Sequence, residues 1–431
     1  MTQIELIIAL FAAVTAFGVL ATWMKIPYPI LLVLGGLLLS LQPWAPRYEL
    51  PPNTVFLLFL PPLLYSAAFN TEWALFRQQL RAISLLAIGL VLFTTVLVAA
   101  VCHYSLGLPW GVGFVLGAIV SPPDAVAATA ITQRVKLPRI VNTILEGESL
   151  VNDASALVAY RVAIAAVVTG FFDLGDATKD FFVMGLGGIG IGIVGAMIMV
   201  KLHRFLNHRK LVDAKLTIMM TLLTPYAVYL PAEHLHVSGV LATVTAGLWI
   251  GTRCSSIFDQ EWYLEARTVW EMMEFVLNGL IFILIGFQLP LILDAVESKQ
   301  EITDLAFDTA MICGVVILSR LVWIFPAAYL SRWFDRVAFH KMDPYPPVKH
   351  VFIVGWTGMR GVVSLAAAMA IPMKTQSGEP FPHRELIQFL TFWVIFATLV
   401  LQGLSLPFLI RWLRITDDDK EPEPDVPNQR C

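Results

Sequence analysis

The sequence predicts an all-α polytopic membrane protein of about 13 transmembrane helices. Three observations carry that fold class. Hydrophobic residues make up 57% of the 431-residue chain and charged residues only 14%, where a soluble domain carries about a quarter charged residues. Apolar runs near the ~20 residues needed to cross a bilayer recur along the whole chain. Lys and Arg fall mostly in alternate connections, the pattern of the positive-inside rule. With a formal net charge of −3, the partner is the lipid bilayer and no nucleic acid is expected. The four cysteines, Cys102, Cys254, Cys313 and Cys431, have neither metal-ligand nor redox spacing, and no cofactor is implied.

The expected spans are 4–23, 29–42, 51–69, 82–103, 108–134, 139–169, 178–202, 213–231, 236–251, 269–290, 305–331, 349–372 and 385–413. The first lacks the basic flank of a secretory signal and is read as a retained helix. The second and ninth are short. Pro122 and Pro123 interrupt the fifth, because proline cannot continue a helix. The seventh is dense in glycine (Gly185, Gly187, Gly188, Gly190, Gly192, Gly195), as tightly packed membrane helices are. The twelfth is interrupted by Gly355, Gly358 and Gly361 around Arg360. Residues 1–414 are thus expected to form one transmembrane domain, and 415–431 a short, acidic, disordered cytoplasmic tail.

Placing the N-terminus outside puts 21 Lys and Arg on the cytoplasmic side. Five fall outside: Arg47, Lys179, Lys299, Lys374 and Arg384. The expected topology is multi-pass, N-out and C-in, in a plasma (inner) membrane. Segments 1–6 and 8–13 can be superposed as two inverted repeats, so segment 5 corresponds to segment 12. Both are broken, and both carry a charge at the break.

The chemistry concentrates in Ser121-Pro122-Pro123-Asp124 and Gly147-Glu148-Ser149-Leu150-Val151-Asn152-Asp153. A carboxylate at the bilayer centre costs roughly 3 kcal/mol and by default marks a site. Ser149 and Asp153 are four apart, as are Glu148 and Asn152, so each pair shares a helix face. Asp153 and Ser149 can offer oxygens to a Na⁺ ion. Asp124 and carbonyls freed near Ser121 would add more from the broken helix. Removal from water favours the neutral form of a carboxylic acid, so one group can hold a proton or a cation but not both. That is the requirement of an exchanger.

Arg320 and Arg360 cannot shed their protons and need carboxylate or carbonyl partners. Glu148 is the acid best placed for one of them. Glu146 either gates the cytoplasmic side or faces water, and Arg161 is expected to reach the outer interface. Glu271 and Glu274 lie near the cytoplasmic end of segment 10 and are read as interfacial. The histidines, His203 among them, are read as solvated.

On these residues the chain resembles the electroneutral sodium/proton antiporters of the NhaP and NHE type. The resemblance is most specific in Gly147-Glu148-Ser149-Leu150-Val151-Asn152-Asp153-Ala154 and the spacing from Asp124. Supporting pieces are Leu60-Pro61-Pro62-Leu63-Leu64, Ser319-Arg320, Gly358-Met359-Arg360-Gly361 and Val400-Leu401-Gln402-Gly403. It implies an elevator-type antiporter, usually a homodimer, with broken helices 5 and 12 crossing near the ion. Asp153 would be the shared cation and proton carboxylate, helped by Asp124 and Ser149. Glu148 would pair with Arg320, and Asn152 beside Asp153 would go with one-for-one exchange. Two departures stand out. Relatives often carry an acid just after the segment-3 Pro-Pro motif, where this chain has Tyr65-Ser66. They also place Pro after the segment-5 aspartate, where this chain has Ala125.

The expected function is exchange of Na⁺ (or Li⁺) for H⁺, serving pH homeostasis, with Ser66 in the place of a ligand. K⁺/H⁺ exchange in the same fold is the alternative, since the site lacks one acid. A cation channel fits less well, because selectivity filters are rings built from several subunits. An intramembrane aspartyl protease fits the two aspartates but neither the arginines nor the signature, so the chain is not read as an enzyme.

Overall fold

The computed structural model describes residues 3–42, 52–124, 126–129, 137–257, 260–296, 302–339 and 345–415. The expected tail beyond 415 and the inner end of segment 5 lie outside the described residues. Helices dominate, and an isolated bridge between Lys374 and Pro380 is the extended pairing among the described residues.

In chain order the first helices are α1 (Gln3–Met24), α2 (Tyr28–Ser40), α3 (Pro52–Leu58) and α4 (Leu60–Asn70). A long span follows: α5 (Trp73–Ser84), a π-helical stretch Leu85–Leu90, and α6 (Val91–Leu106). Then come α7 (Trp110–Val120), α8 (Arg139–Thr169), α9 (Leu174–His208), α10 (Ala214–His234) and α11 (Gly239–Gly251). The chain continues with α12 (Gln260–Phe287), α13 (Leu289–Val296), α14 (Ile302–Phe339), α15 (Val348–Trp356) and α16 (Val362–Met369). The last span is α17 (Arg384–Ala397), a π-helical stretch Thr398–Gln402, and α18 (Gly403–Trp412). Among the described residues seven helices are long and apolar enough to cross a membrane, with four shorter apolar ones.

Local chemistry sets the ends. Gly107 and Gly170 terminate α6 and α8 in the left-handed region (φ 68° and 71°), which glycine enters without a Cβ penalty. Asp173, Asp213 and Ser238 cap α9, α10 and α11 by accepting backbone N–H bonds.

Two bundles form. In one, α5 to α8 pack with α14 to α17, and in the other α1, α2, α4, α9, α10, α11 and α12 pack together. The α2–α12 contact is backbone to backbone: a Cβ on Gly36 would overlap the Ile283 carbonyl, and one on Gly286 the Val33 carbonyl. The broken helices sit in the first bundle, where α7 packs on α16 and α17. The all-helical polytopic fold with two interrupted, crossing helices is therefore present.

Candidate ion-binding site

The first break follows directly from the prolines. α7 ends at Val120, 121–124 are non-helical, and helix resumes at 126–129. The second break spans 357–361, between α15 and α16. The breaks cross, and the Asp124 N–H donates to the Met359 carbonyl at 2.7 Å.

Both aspartates lie at the crossing, in different surroundings. Asp124 Oδ1 accepts the Val126 N–H at 2.8 Å, and the Ala127 and Val362 N–H groups also bond this carboxylate. It thus faces the N-termini of two half-helices, whose unpaired N–H groups and dipoles favour a fixed negative charge. Asp153, on α8, is buried at 7% exposure and lies within electrostatic reach of Asp124. Among the described residues no hydrogen bond reaches its carboxylate.

Gly361 makes the close approach possible. A Cβ there would overlap the Asp124 carboxylate. Gly361→Ala is expected to cost about 1–3 kcal/mol as overpacking and to displace Asp124 from its donors, lowering exchange. Unchanged melting together with unchanged transport would refute it.

The arginines serve the opposite helix ends. Arg360, fully buried, donates from Nε to the Val120 carbonyl at 2.9 Å, the last of α7, and from its terminal nitrogens to the carbonyls of Gly358 and Val316. Its backbone N–H donates to Thr398 Oγ1 at 3.1 Å, in the π-helical stretch. Arg320 donates from Nε to the Val354 carbonyl of α15 at 3.1 Å and makes a two-pronged pair with Glu148 at 2.5 and 2.8 Å. Each guanidinium thereby satisfies an orphan carbonyl at the C-terminus of a half-helix, where the dipole favours a cation. Gly358 leaves room for them, since a Cβ there would lie 2.5 Å from Arg320 Cδ.

A cavity of 2140 Å³ between the bundles reaches Asp124, Asp153, Ser149 and Ser66. Its other walls include Thr71, Arg139, Arg267 and Arg332, all at one end of the spans. The structure does not bring Ser121 or Asn152 to it. Ser121 Oγ turns back to the Ala118 carbonyl at 3.0 Å. Asn152 Nδ2 clamps the Pro123 carbonyl at 3.1 Å, tying α8 to the break. The Val120 and Pro123 carbonyls, expected among the freed oxygens, are therefore already engaged. Glu148, Arg320, Arg360 and Gly358 are packed behind the cavity wall.

The opposite side of Asp153 is closed. Leu150 and Ala154 of α8 pack on Leu64 and Ala68 of α4, Tyr229 of α10 and Val244 of α11. Beyond them Arg161, expected at the outer interface, is partly exposed and pairs with Glu233 at the end of α10 at 2.8 Å. His203, expected in solvent, is buried at 4% exposure and hydrogen-bonds the Met199 carbonyl.

One residue went unread in the sequence. Ser364 of α16 lines the cavity, is 1% exposed, and its hydroxyl has no hydrogen-bond partner among the described residues. A serine within the apolar run Val362-Val363-Ser364-Leu365-Ala366 carries no spacing signal of its own.

Residues 6–412 match the family described as "Sodium/hydrogen exchanger, transmembrane". The chain belongs to the sodium/hydrogen exchanger family. It is therefore a cation/proton antiporter by family and not an enzyme. It is 37% identical over 422 residues to an uncharacterized Na(+)/H(+) exchanger of Mycobacterium tuberculosis, covering 96% of this chain and 75% of that exchanger. It is 34% identical over 391 residues to the sodium, potassium, lithium and rubidium/H(+) antiporter of Bacillus subtilis, covering 89% of this chain and 58% of that antiporter. The sodium proton antiporter MjNhaP1 of Methanocaldococcus jannaschii at pH 8 superposes with a TM-score of 0.65. At 20% identity over 96% of this chain and 99% of that one, this likeness to a solved exchanger concerns the fold alone.

Proposed function

We propose that this exchanger carries Na⁺ or Li⁺ against H⁺, one for one, with Asp153 as the group that holds either ion. The observation that carries the reading is the contrast between two neighbouring carboxylates. Asp124 is held by N–H donors from both broken helices, whereas Asp153 lines the cavity and among the described residues has no hydrogen-bond donor. A single exchangeable carboxylate takes one proton or one monovalent cation, so the cycle is electroneutral. Ser149 and Asp124 supply further oxygens. The cavity opens at the span ends that the Lys/Arg asymmetry assigns to the inside, which supports reading this as an inward-facing state with N-out, C-in topology in a plasma membrane.

Alternating access follows by an elevator movement of the bundle bearing the crossing against the other, in a homodimer. The apolar contact of Leu150 and Ala154 with α4, α10 and α11 has few polar bonds to break on sliding, and the Arg161–Glu233 pair closes it outside. K⁺ is the second reading, favoured by Ser66, which brings no charge from segment 3, and by the range of ions named for the Bacillus relative.

The deciding experiment reconstitutes the chain in liposomes with a pH-sensitive dye and adds Na⁺, Li⁺ and K⁺ in turn. Proton movement indifferent to every cation would sink the proposal. Because cation binding requires the deprotonated carboxylate, the apparent KM for Na⁺ is expected to rise about tenfold per pH unit at the acid end. A KM that stayed flat with pH would separate the cation site from the proton site.

A further inference from the structure

A second set of cavity oxygens stands on the other bundle. Glu274 and Asn278 of α12 both line the cavity, and, four apart, they share one helix face. Ser66 Oγ of α4 donates to Glu274 Oε1, while Asn70 Nδ2 holds the Ser66 carbonyl at 3.0 Å. Among the described residues no basic side chain pairs with Glu274; the nearby Arg267 is engaged by Glu271 at 2.6 Å. Asn278 is 7% exposed, and its buried Oδ1 has no hydrogen-bond partner among the described residues.

Two physical deficits coincide here. A carboxylate within a span calls for a compensating positive charge. A buried amide oxygen left without a donor costs about 1–3 kcal/mol. One monovalent cation would relieve both, since carboxylate, amide and hydroxyl oxygens form the hard donor set such ions prefer. The position is also useful, because a negative charge lining a cleft raises the local concentration of cations.

We propose that Glu274, Asn278 and Ser66 form a second monovalent-cation subsite, between the cavity mouth and Asp153. It rests on the exchange reading above and adds an approach site to it. α12 belongs to the bundle that does not carry the crossing, so the subsite loads the carrier site without travelling with it. The carboxylate absent from position 66 is thereby supplied from α12.

The test uses the purified full chain in two assays: Na⁺ titration calorimetry in detergent, and Na⁺-dependent proton flux in liposomes. The wild-type chain is expected to bind two Na⁺ and the Glu274→Gln variant one. Glu274→Gln should raise the KM for Na⁺ about tenfold, with the maximal rate within about twofold. Adding Ser66→Asp to Glu274→Gln should restore the KM, because the charge returns to the same place from α4, a rescue that a purely structural glutamate would not show. Asn278→Leu, which keeps Glu274, should raise the KM about threefold and carries the test if Glu274→Gln does not fold. A single Na⁺ bound by the wild-type chain, or an unchanged KM in these variants, would overturn the subsite. Absence of Na⁺-dependent flux in the wild-type chain would instead overturn the exchange reading, and the titration would still report on the subsite.

Discussion

Asp153→Asn is expected to give a stably folded chain with no cation-dependent proton flux above that of empty liposomes. The fold should tolerate the change because the Asp153 carboxylate accepts no hydrogen bond among the described residues, and Asn keeps its volume. Removing a buried charge close to Asp124 relieves a like-charge repulsion, so thermal stability in detergent should hold or rise. Transport should not survive, because an amide binds no proton in this pH range and carries no negative charge to exchange between a proton and a cation. Retained exchange in Asp153→Asn would transfer the carrier role to Asp124. That residue's N–H donors would then have to be lost in part of the cycle.

Glu148→Gln is expected to act in the opposite way, on stability before transport. Arg320 would keep its bonds to the Val354 carbonyl but lose its counter-charge. Leaving one member of a buried pair uncompensated costs about 3–5 kcal/mol. Replacing both, as Glu148→Gln with Arg320→Met, should cost less than the single change, because no charge is then stranded. Thermal unfolding of the single and double variants in detergent measures this directly. A fully stable Glu148→Gln chain that had lost transport would place Glu148 on the ion path instead of behind it.

The parts of this architecture that the sequence made legible are those the bilayer prices most heavily. Span lengths, the Pro122-Pro123 break and the Gly358-Met359-Arg360-Gly361 break are all expensive at membrane depth, so they stand out against apolar background. The partners of the arginines were harder to read. The residues alone left carboxylates or carbonyls open for Arg320 and Arg360; the resemblance implied Glu148 for Arg320, and only the crossing shows that Arg360 is held by carbonyls, among them the end of α7. Arg161 illustrates the same limit: its partner Glu233 lies 72 residues away, and helix-face arithmetic cannot bring them together. Glu274 looked interfacial because its side of α12 gains meaning only once α4 is packed against it. Ser364 and Asn278 betray themselves through unpartnered oxygens, a property of three-dimensional packing.

The two caps at the crossing have a bearing on what the membrane potential can do. With Asp124 ionised, the two guanidiniums of Arg320 and Arg360 and the two carboxylates of Glu148 and Asp124 sum to zero charge around the crossing. On the exchange reading proposed above, Asp153 then decides the remainder. Loaded with a proton or with a monovalent cation, the centre is neutral and can pass through a low-dielectric layer without electrical work. Emptied, it carries one unpaired negative charge, which at 100 mV is worth about 2.3 kcal/mol across the full field, besides the larger cost of dehydration. On that reading, charge balance opposes futile return of the unloaded carrier, and with it slippage of the ion gradient. It would then contribute to tight coupling without a separate lock.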